Sequence, residues 1–183
     1  TKSSGTLLGD ISMYHAGGKI KDLKIVDNSK GLQKVDYNYN VRGWLTNIND
    51  DVSNDNDLFN FSIQYNDPSV ELNKRLYNGN IAQTSWQTQN VDISRRQYTY
   101  TYDALNRITH AGGLTNLYNA AYSYDKNGNI LSLIRKGHVN ADATSFGTMD
   151  DLAYTYDGGN KLLKVAENTG SKTYGFKDGT NTG

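Results

Sequence analysis

The side chains best suited to chemistry in this chain are aspartates that follow tyrosines. Asp103 ends Tyr100-Thr101-Tyr102-Asp103, Asp125 ends Tyr122-Ser123-Tyr124-Asp125, and Asp157 ends Tyr154-Thr155-Tyr156-Asp157. Recurrent carboxylates invite a hydrolase reading, because acid–base work needs two groups converging on one substrate. The spacing favours another role. Each aspartate occupies the same place before a short turn containing Gly or Asn, where a carboxylate accepts backbone N–H bonds and shapes the turn. Held that way it stays ionised and is a poor acid. No catalytic residue is assigned.

Other reactive types are scattered. His15, His110 and His138 are isolated, with no second ligand at metal spacing. The run from Asp51 to Asp57 places oxygen side chains at alternate positions, as a Ca²⁺ loop does, but lacks the turn glycine and the closing glutamate and reads as a polar loop. No Gly-x-Ser-x-Gly nucleophile motif is present, and Ser3-Ser4-Gly5 reads as a chain end. Trp44 and Trp86 carry flat aromatic faces that suit sugar rings, with packing as the preferred role for both. The tyrosines lack the interleaved basic residues of a nucleic-acid stacking platform. No metal or cofactor is expected.

Composition narrows the class. The 183 residues carry 19 basic and 19 acidic side chains, so no net field draws the chain to nucleic acid or an anionic membrane. Cysteine is absent, which excludes disulfide scaffolds and thiolate metal sites. No apolar run reaches the roughly 18 residues of a membrane span. Fourteen tyrosines against four phenylalanines point to half-buried pleated surfaces, with rings packed and hydroxyls wet.

The elements that position these residues are hairpins. Ile20 to Val26 and Leu32 to Tyr39 read as strands around a turn, and Asn47 to Asp57 as a loop. Leu58 to Tyr65 alternates, placing Phe59, Phe61, Ile63 and Tyr65 on one face, with Pro68 ending the strand or marking an edge. Asn78-Gly79 predicts a tight hairpin within Leu76 to Ala82, and Gln87 to Asp92 reads as polar. Tyr98, Tyr100 and Tyr102 share a face opposite Thr99 and Thr101, with the return strand starting at Ile108. Ala120 to Tyr124 pairs with Ile130 to Arg135. A loop spans Gly137 to Asp151, Leu152 to Asp157 pairs with Lys161 to Glu167, and a further unit opens at Tyr174. No amphipathic helix is found.

The phrases align. Counting from the second tyrosine, one residue on is Asp or Asn, four on is Gly or Asn, and six on is Ile or Leu. Tyr37-Asn38-Tyr39-Asn40-Val41-Arg42-Gly43-Trp44-Leu45 is a looser copy, and Tyr77-Asn78-Gly79-Asn80-Ile81 a fragment. The set resembles the YD repeat of the RHS (rearrangement hot spot) family, roughly Y-x-Y-D-x-x-G-R-L. Asn106 and Asn160 replace the glycine, while Gly43 and Gly128 keep it. Asn129 and Lys161 replace the arginine that Arg107 retains. The residues carrying the motif are Tyr39, Arg42, Gly43, Trp44, Tyr100, Tyr102, Asp103, Arg107, Tyr124, Asp125, Gly128, Tyr156 and Asp157.

The resemblance implies an all-β fold, a curved antiparallel sheet of consecutive β-hairpins forming a segment of an RHS-type β-shell. Residues 1–36 are read as lead-in strands and residues 37–183 as the repeat array of a longer bacterial protein. The expected role is structural and non-enzymatic, in a shell or a cell-surface or secreted protein that encloses or presents a C-terminal effector. The family's self-cleaving region has no match. Expected partners are flanking repeats, effector cargo and, through edge strands, a second copy; nucleic acid and membrane insertion are not expected. The rival reading is a surface adhesin that binds glycans through exposed aromatics.

Overall fold

The computed structural model describes residues 10–16, 19–27, 30–49, 57–66, 75–89, 92–171 and 173–177, with side chains from Val35 onward. Its strands are β1 (Asp10–Ala16), β2 (Lys19–Asp27), β3 (Lys30–Tyr39), β4 (Leu45–Ile48), β5 (Phe59–Gln64), β6 (Gln83–Thr88), β7 (Arg96–Tyr102), β8 (Ile108–Gly112), β9 (Ala120–Tyr124), β10 (Ile130–His138), β11 (Phe146–Tyr156) and β12 (Leu162–Glu167). Each pairs with the next in sequence, giving one 12-stranded sheet in chain order. All pairings are antiparallel, and among the described residues none joins β12 back to β1, so the sheet is open. No helix occurs among the described residues.

Strict chain order sorts the connections. Links from odd to even strands lie at one rim and links from even to odd strands at the other. The turns that follow Tyr39-Asn40, Tyr102-Asp103, Tyr124-Asp125 and Tyr156-Asp157 therefore fall at the same rim, called here the turn rim. The opposite loop rim holds residues 92–95, 113–119 and 139–145.

The two faces differ in chemistry. Phe61 stands opposite Trp86, which stands opposite Arg96; Thr84 stands opposite Tyr98. Tyr98 and Tyr100 share this aromatic face, their rings 6.5 Å apart. The other face carries small polar groups, among them the buried Ser62 and Ser85, whose hydroxyls bond at 2.8 Å. The sheet is thin. Among the described residues, the buried hydrophobic side chains are Tyr65, Ala82, Met149 and Leu152.

Several expected boundaries move. Asn47 and Ile48 belong to β4 rather than to a loop, and the chain turns at the buried Asn49. Asn49 donates its backbone N–H to the Asp36 carbonyl at 2.8 Å, accepts the Asp36 N–H on Oδ1 at 2.9 Å, and donates Nδ2–H to the Phe59 carbonyl at 2.7 Å, locking β3 to β5. Gln83–Thr88 is a strand despite its polar sequence, because neighbours on both sides supply its hydrogen bonds. The expected loop at 137–151 is shorter, since β10 runs on to His138 and β11 starts at Phe146, with a register shift at Arg135/Lys136 rephasing the pair. Residues 173–177 form no strand. They turn back so that the Phe176 N–H meets the buried Asp150 carboxylate at 2.6 Å, which also takes Arg135 Nε at 2.5 Å. Ser3-Ser4-Gly5, Asp51 to Asn56, Pro68 and Gly179 lie outside the described residues.

Candidate functional site

The repeat phrase builds one turn several times over. The Asp103 carbonyl accepts the Asn106 N–H at 3.0 Å while the Asp103 N–H donates to the Arg107 carbonyl at 2.9 Å. The same pair of bonds closes the turns from Asn40 to Trp44, Asp125 to Asn129, and Asp157 to Lys161. This is a three-residue hairpin loop whose last loop residue must be left-handed. That residue is Gly43 (φ 75°), Asn106 (63°), Gly128 (94°) or Asn160 (65°). Glycine has no Cβ to clash there, and asparagine is among the few other residues that tolerate it. The Gly/Asn alternation in the sequence thus has a steric cause.

The residue after the second tyrosine staples the loop. Asp103 Oδ1 accepts the Leu105 and Arg107 N–H groups, both at 2.9 Å. Asp125 Oδ1 takes those of Asn127 and Asn129, Asp157 Oδ1 those of Gly159 and Lys161, and Asn40 Oδ1 those of Arg42 and Trp44. The backbone bond from Arg107 and the guanidinium beside it hold Asp103 below the usual carboxylate range. The Asn129 amide and backbone do the same for Asp125.

The residue six on from the second tyrosine is its cross-strand partner: Tyr39 faces Leu45, Tyr102 faces Ile108, Tyr124 faces Ile130 and Tyr156 faces Leu162. Beyond each pair the return strand carries one extra residue, namely Thr46, Thr109, Leu131 or Leu163, so a bulge recurs at the same place. The carbonyl of the six-on residue is then reached from the next repeat by a side chain. The Tyr102 hydroxyl donates to the Ile81 carbonyl at 2.8 Å, Tyr124 to Ile108 at 2.7 Å, and Tyr156 to Ile130 at 3.0 Å. Hydroxyls expected to be wet are therefore rungs between repeats. Burial raises the pKa of Tyr102 and Tyr124.

One rung exposes a repeat that the sequence concealed. The Tyr65 hydroxyl donates to the Leu45 carbonyl at 3.2 Å, as a second tyrosine does. Its six-on counterpart is Ile81, which accepts from Tyr102. Tyr65-Asn66 and Asn78-Gly79-Asn80-Ile81 are thus two halves of one phrase parted by an insertion. The expected Asn78-Gly79 hairpin is not formed; residues 77–79 bend without flanking ladder bonds. Gly79 (φ 96°) instead lies against Trp44, where an added Cβ would sit 3.2 Å from the indole. The signal that identifies the phrase is the match of Asn78-Gly79-Asn80-Ile81 to Asn127-Gly128-Asn129-Ile130.

Neighbouring turns are tied as well. Arg107 pairs through Nε with Asp103 at 2.6 Å, donates Nη1–H to the Asp125 carbonyl at 2.8 Å and lies 4.6 Å from the Tyr124 ring centroid. Asn78 and Asn80 both donate to Asn106 Oδ1, and Asn127 and Asn129 both donate to Asn160 Oδ1. Arg42 donates to the Tyr77 carbonyl at 3.1 Å and covers Trp44, which packs on Tyr65 with centroids 5.0 Å apart. Tyr100 bonds Thr84 Oγ1 at 3.0 Å. The motif residues thus lie at the turn rim or along β7, spread over successive repeats. His110 lies in β8 and His138 in β10, the latter against the Tyr174 ring; His15 lies in β1.

No family model and no curated protein matches the chain. Solved structures do. The crystal structures of TcdB2-TccC3-TEV and TcdB2-TccC3-Cdc42 match with TM-scores of 0.59 and 0.58 at 12% and 13% identity, each covering 82% of this chain. The Photorhabdus luminescens Tc holotoxin pore, with a point mutation in TccC3, matches with a TM-score of 0.56 at 12% identity over 81% of this chain. The chain spans only 7–8% of the length of those chains. At such identity the likeness carries the fold: an open all-β sheet of consecutive antiparallel strands, as in a segment of these toxin-complex chains.

Proposed function

We propose that this chain is a wall segment of an RHS-type repeat shell, part of a secreted bacterial protein, with no catalysis of its own. The observation that carries the reading is the row of tyrosine hydroxyls, each bonded to the carbonyl of the preceding repeat. Side chains that a pocket would gather are instead spent joining each repeat to its neighbour, as in an array whose units contact only adjacent units. The YD phrases resemble the RHS repeat, and the fold likeness to Tc toxin chains agrees with a wall in a toxin-related assembly. A shell wall encloses or presents an effector encoded elsewhere in the parent protein. The turn aspartates fit this role, since each holds its turn through an Oδ1 that accepts two backbone N–H groups, a geometric task rather than proton transfer.

Electron cryo-microscopy of the parent protein tests the proposal. The expected result is a hollow wall in which this segment is one strip, continuous with further strands beyond β12. A sandwich in which another layer of the chain packs over the aromatic face of the sheet would refute it.

A further inference from the structure

The loop rim holds a cavity that the repeat geometry does not use. It has a volume of about 710 Å³ and is bounded by Trp86, Tyr98, Tyr118 and Phe146, with Asp92 and Arg96 among its polar lining. That volume lies within the range of about 300–1,000 Å³ typical of small-ligand sites. Two ring pairs frame it. Trp86 stacks on Tyr98 with centroids 5.6 Å apart, and Phe146 meets Tyr118 edge-on at 5.3 Å. The Tyr98 hydroxyl donates to the Tyr118 carbonyl at 2.5 Å and joins the two pairs. Asp92 and Arg96 pair at 2.6 Å, each about half exposed, and the Ser94 N–H fixes the other Asp92 oxygen at 2.8 Å.

We propose that this cavity is a binding site for a neutral oligosaccharide. The ligand class follows from the lining. A sugar ring presents C–H groups along its faces and hydroxyls around its edge. The first suit the apolar surface of the aromatic side chains. The second both donate and accept, which matches a carboxylate that only accepts beside a guanidinium that only donates. A purely apolar ligand would bury the Asp92–Arg96 pair without replacing its water. A strongly anionic ligand would compete with Asp92 for Arg96, while the other lining arginine, Arg95, gives its guanidinium to the Ser85 hydroxyl at 2.9 Å. The site also sits where the fold leaves sequence free, because the Tyr-Asp phrase constrains the turn rim and not residues 92–95 and 113–119. Of the two tryptophans, Trp44 is occupied with Tyr65 and Gly79, whereas Trp86 borders the cavity.

The Trp44→Phe chain leaves Trp86 as the single indole reporter. Its fluorescence is titrated with cellohexaose, chitohexaose and maltohexaose, at low and at high salt. The expected result is saturable binding of at least one of the three, little changed by salt. Tyr118→Ala and Asp92→Asn should each weaken it by about tenfold or more. Tyr118→Ala keeps the backbone carbonyl that Tyr98 uses, and Asp92 lies in an exposed loop, so both variants should keep the parent's far-ultraviolet spectrum. No saturable signal with any of the three sugars overturns the proposal. So does binding that persists unchanged in both variants while they remain folded.

Discussion

At the scale of residues, the turn aspartate is a geometric part, and Asn40 shows which atom matters. An amide oxygen there accepts the N–H groups two and four residues on, as Asp157 Oδ1 does in its own turn. Asp157→Asn should therefore leave stability nearly unchanged, whereas Asp157→Ala should cost about 1 kcal/mol, as loss of a helix cap does. Equal losses for both in urea denaturation would show that charge, not the acceptor oxygen, carries the effect. Asp103 and Asp125 add a pH dependence, because their neighbours lower their pKa on folding. A depressed folded pKa gives stability that is present above the unfolded value and lost as pH falls through the folded one. The loss should begin below about pH 4 and grow toward stronger acid. The Asp103→Asn/Asp125→Asn double variant should be less stable at neutral pH and lose less on acidification. Parallel curves for parent and variant would remove these two groups from the acid response.

At the scale of elements, each repeat is one hairpin plus one rung to the hairpin before it. Tyr124→Phe keeps the ring and removes the rung to Ile108, so it should cost about 0.5–1.5 kcal/mol. Tyr102→Phe should behave alike, whereas Tyr122→Phe, two residues before the rung tyrosine Tyr124, should cost little. Identical midpoints for all three in chemical denaturation would reduce the ladder to incidental contacts. The hairpins themselves were legible, because turn chemistry is local: Asp125, Asn127 and Gly128 declare the loop on their own. The rungs were not, because a tyrosine hydroxyl finds its carbonyl across a strand pair that local sequence does not specify. The repeat role of Tyr65 is concealed for a related reason, since the insertion after Asn66 parts it from Ile81. Strand β6 lacked an alternating signal because one of its faces is polar yet covered, as the buried Ser85 shows. The cavity was the least legible feature, with Trp86, Tyr118 and Phe146 brought together only by strand order.

At the scale of the whole molecule, a sheet in strict chain order has two outer strands, β1 and β12. The inner side of β12 pairs with β11, and among the described residues no strand pairs with its outer side. The turn geometry before it repeats that of β4, β8 and β10. The Leu162 carbonyl therefore stands where Leu45, Ile108 and Ile130 stand, each of which accepts a tyrosine hydroxyl from the next repeat. Leu162 and Leu163 are also 47% and 59% exposed, so this edge is apolar as well as without a strand partner among the described residues. Such an edge templates another strand. In the wall reading the natural occupant is the next repeat; for the chain on its own it is a second copy. Sedimentation velocity should show association that rises with concentration, and Leu163→Lys, which places a charge on the edge, should suppress it. A chain that stays monomeric at every concentration, or a Leu163→Lys variant that associates as strongly as the parent, would place the exposed surface elsewhere. Either result would weaken the claim that β12 is where the sheet continues.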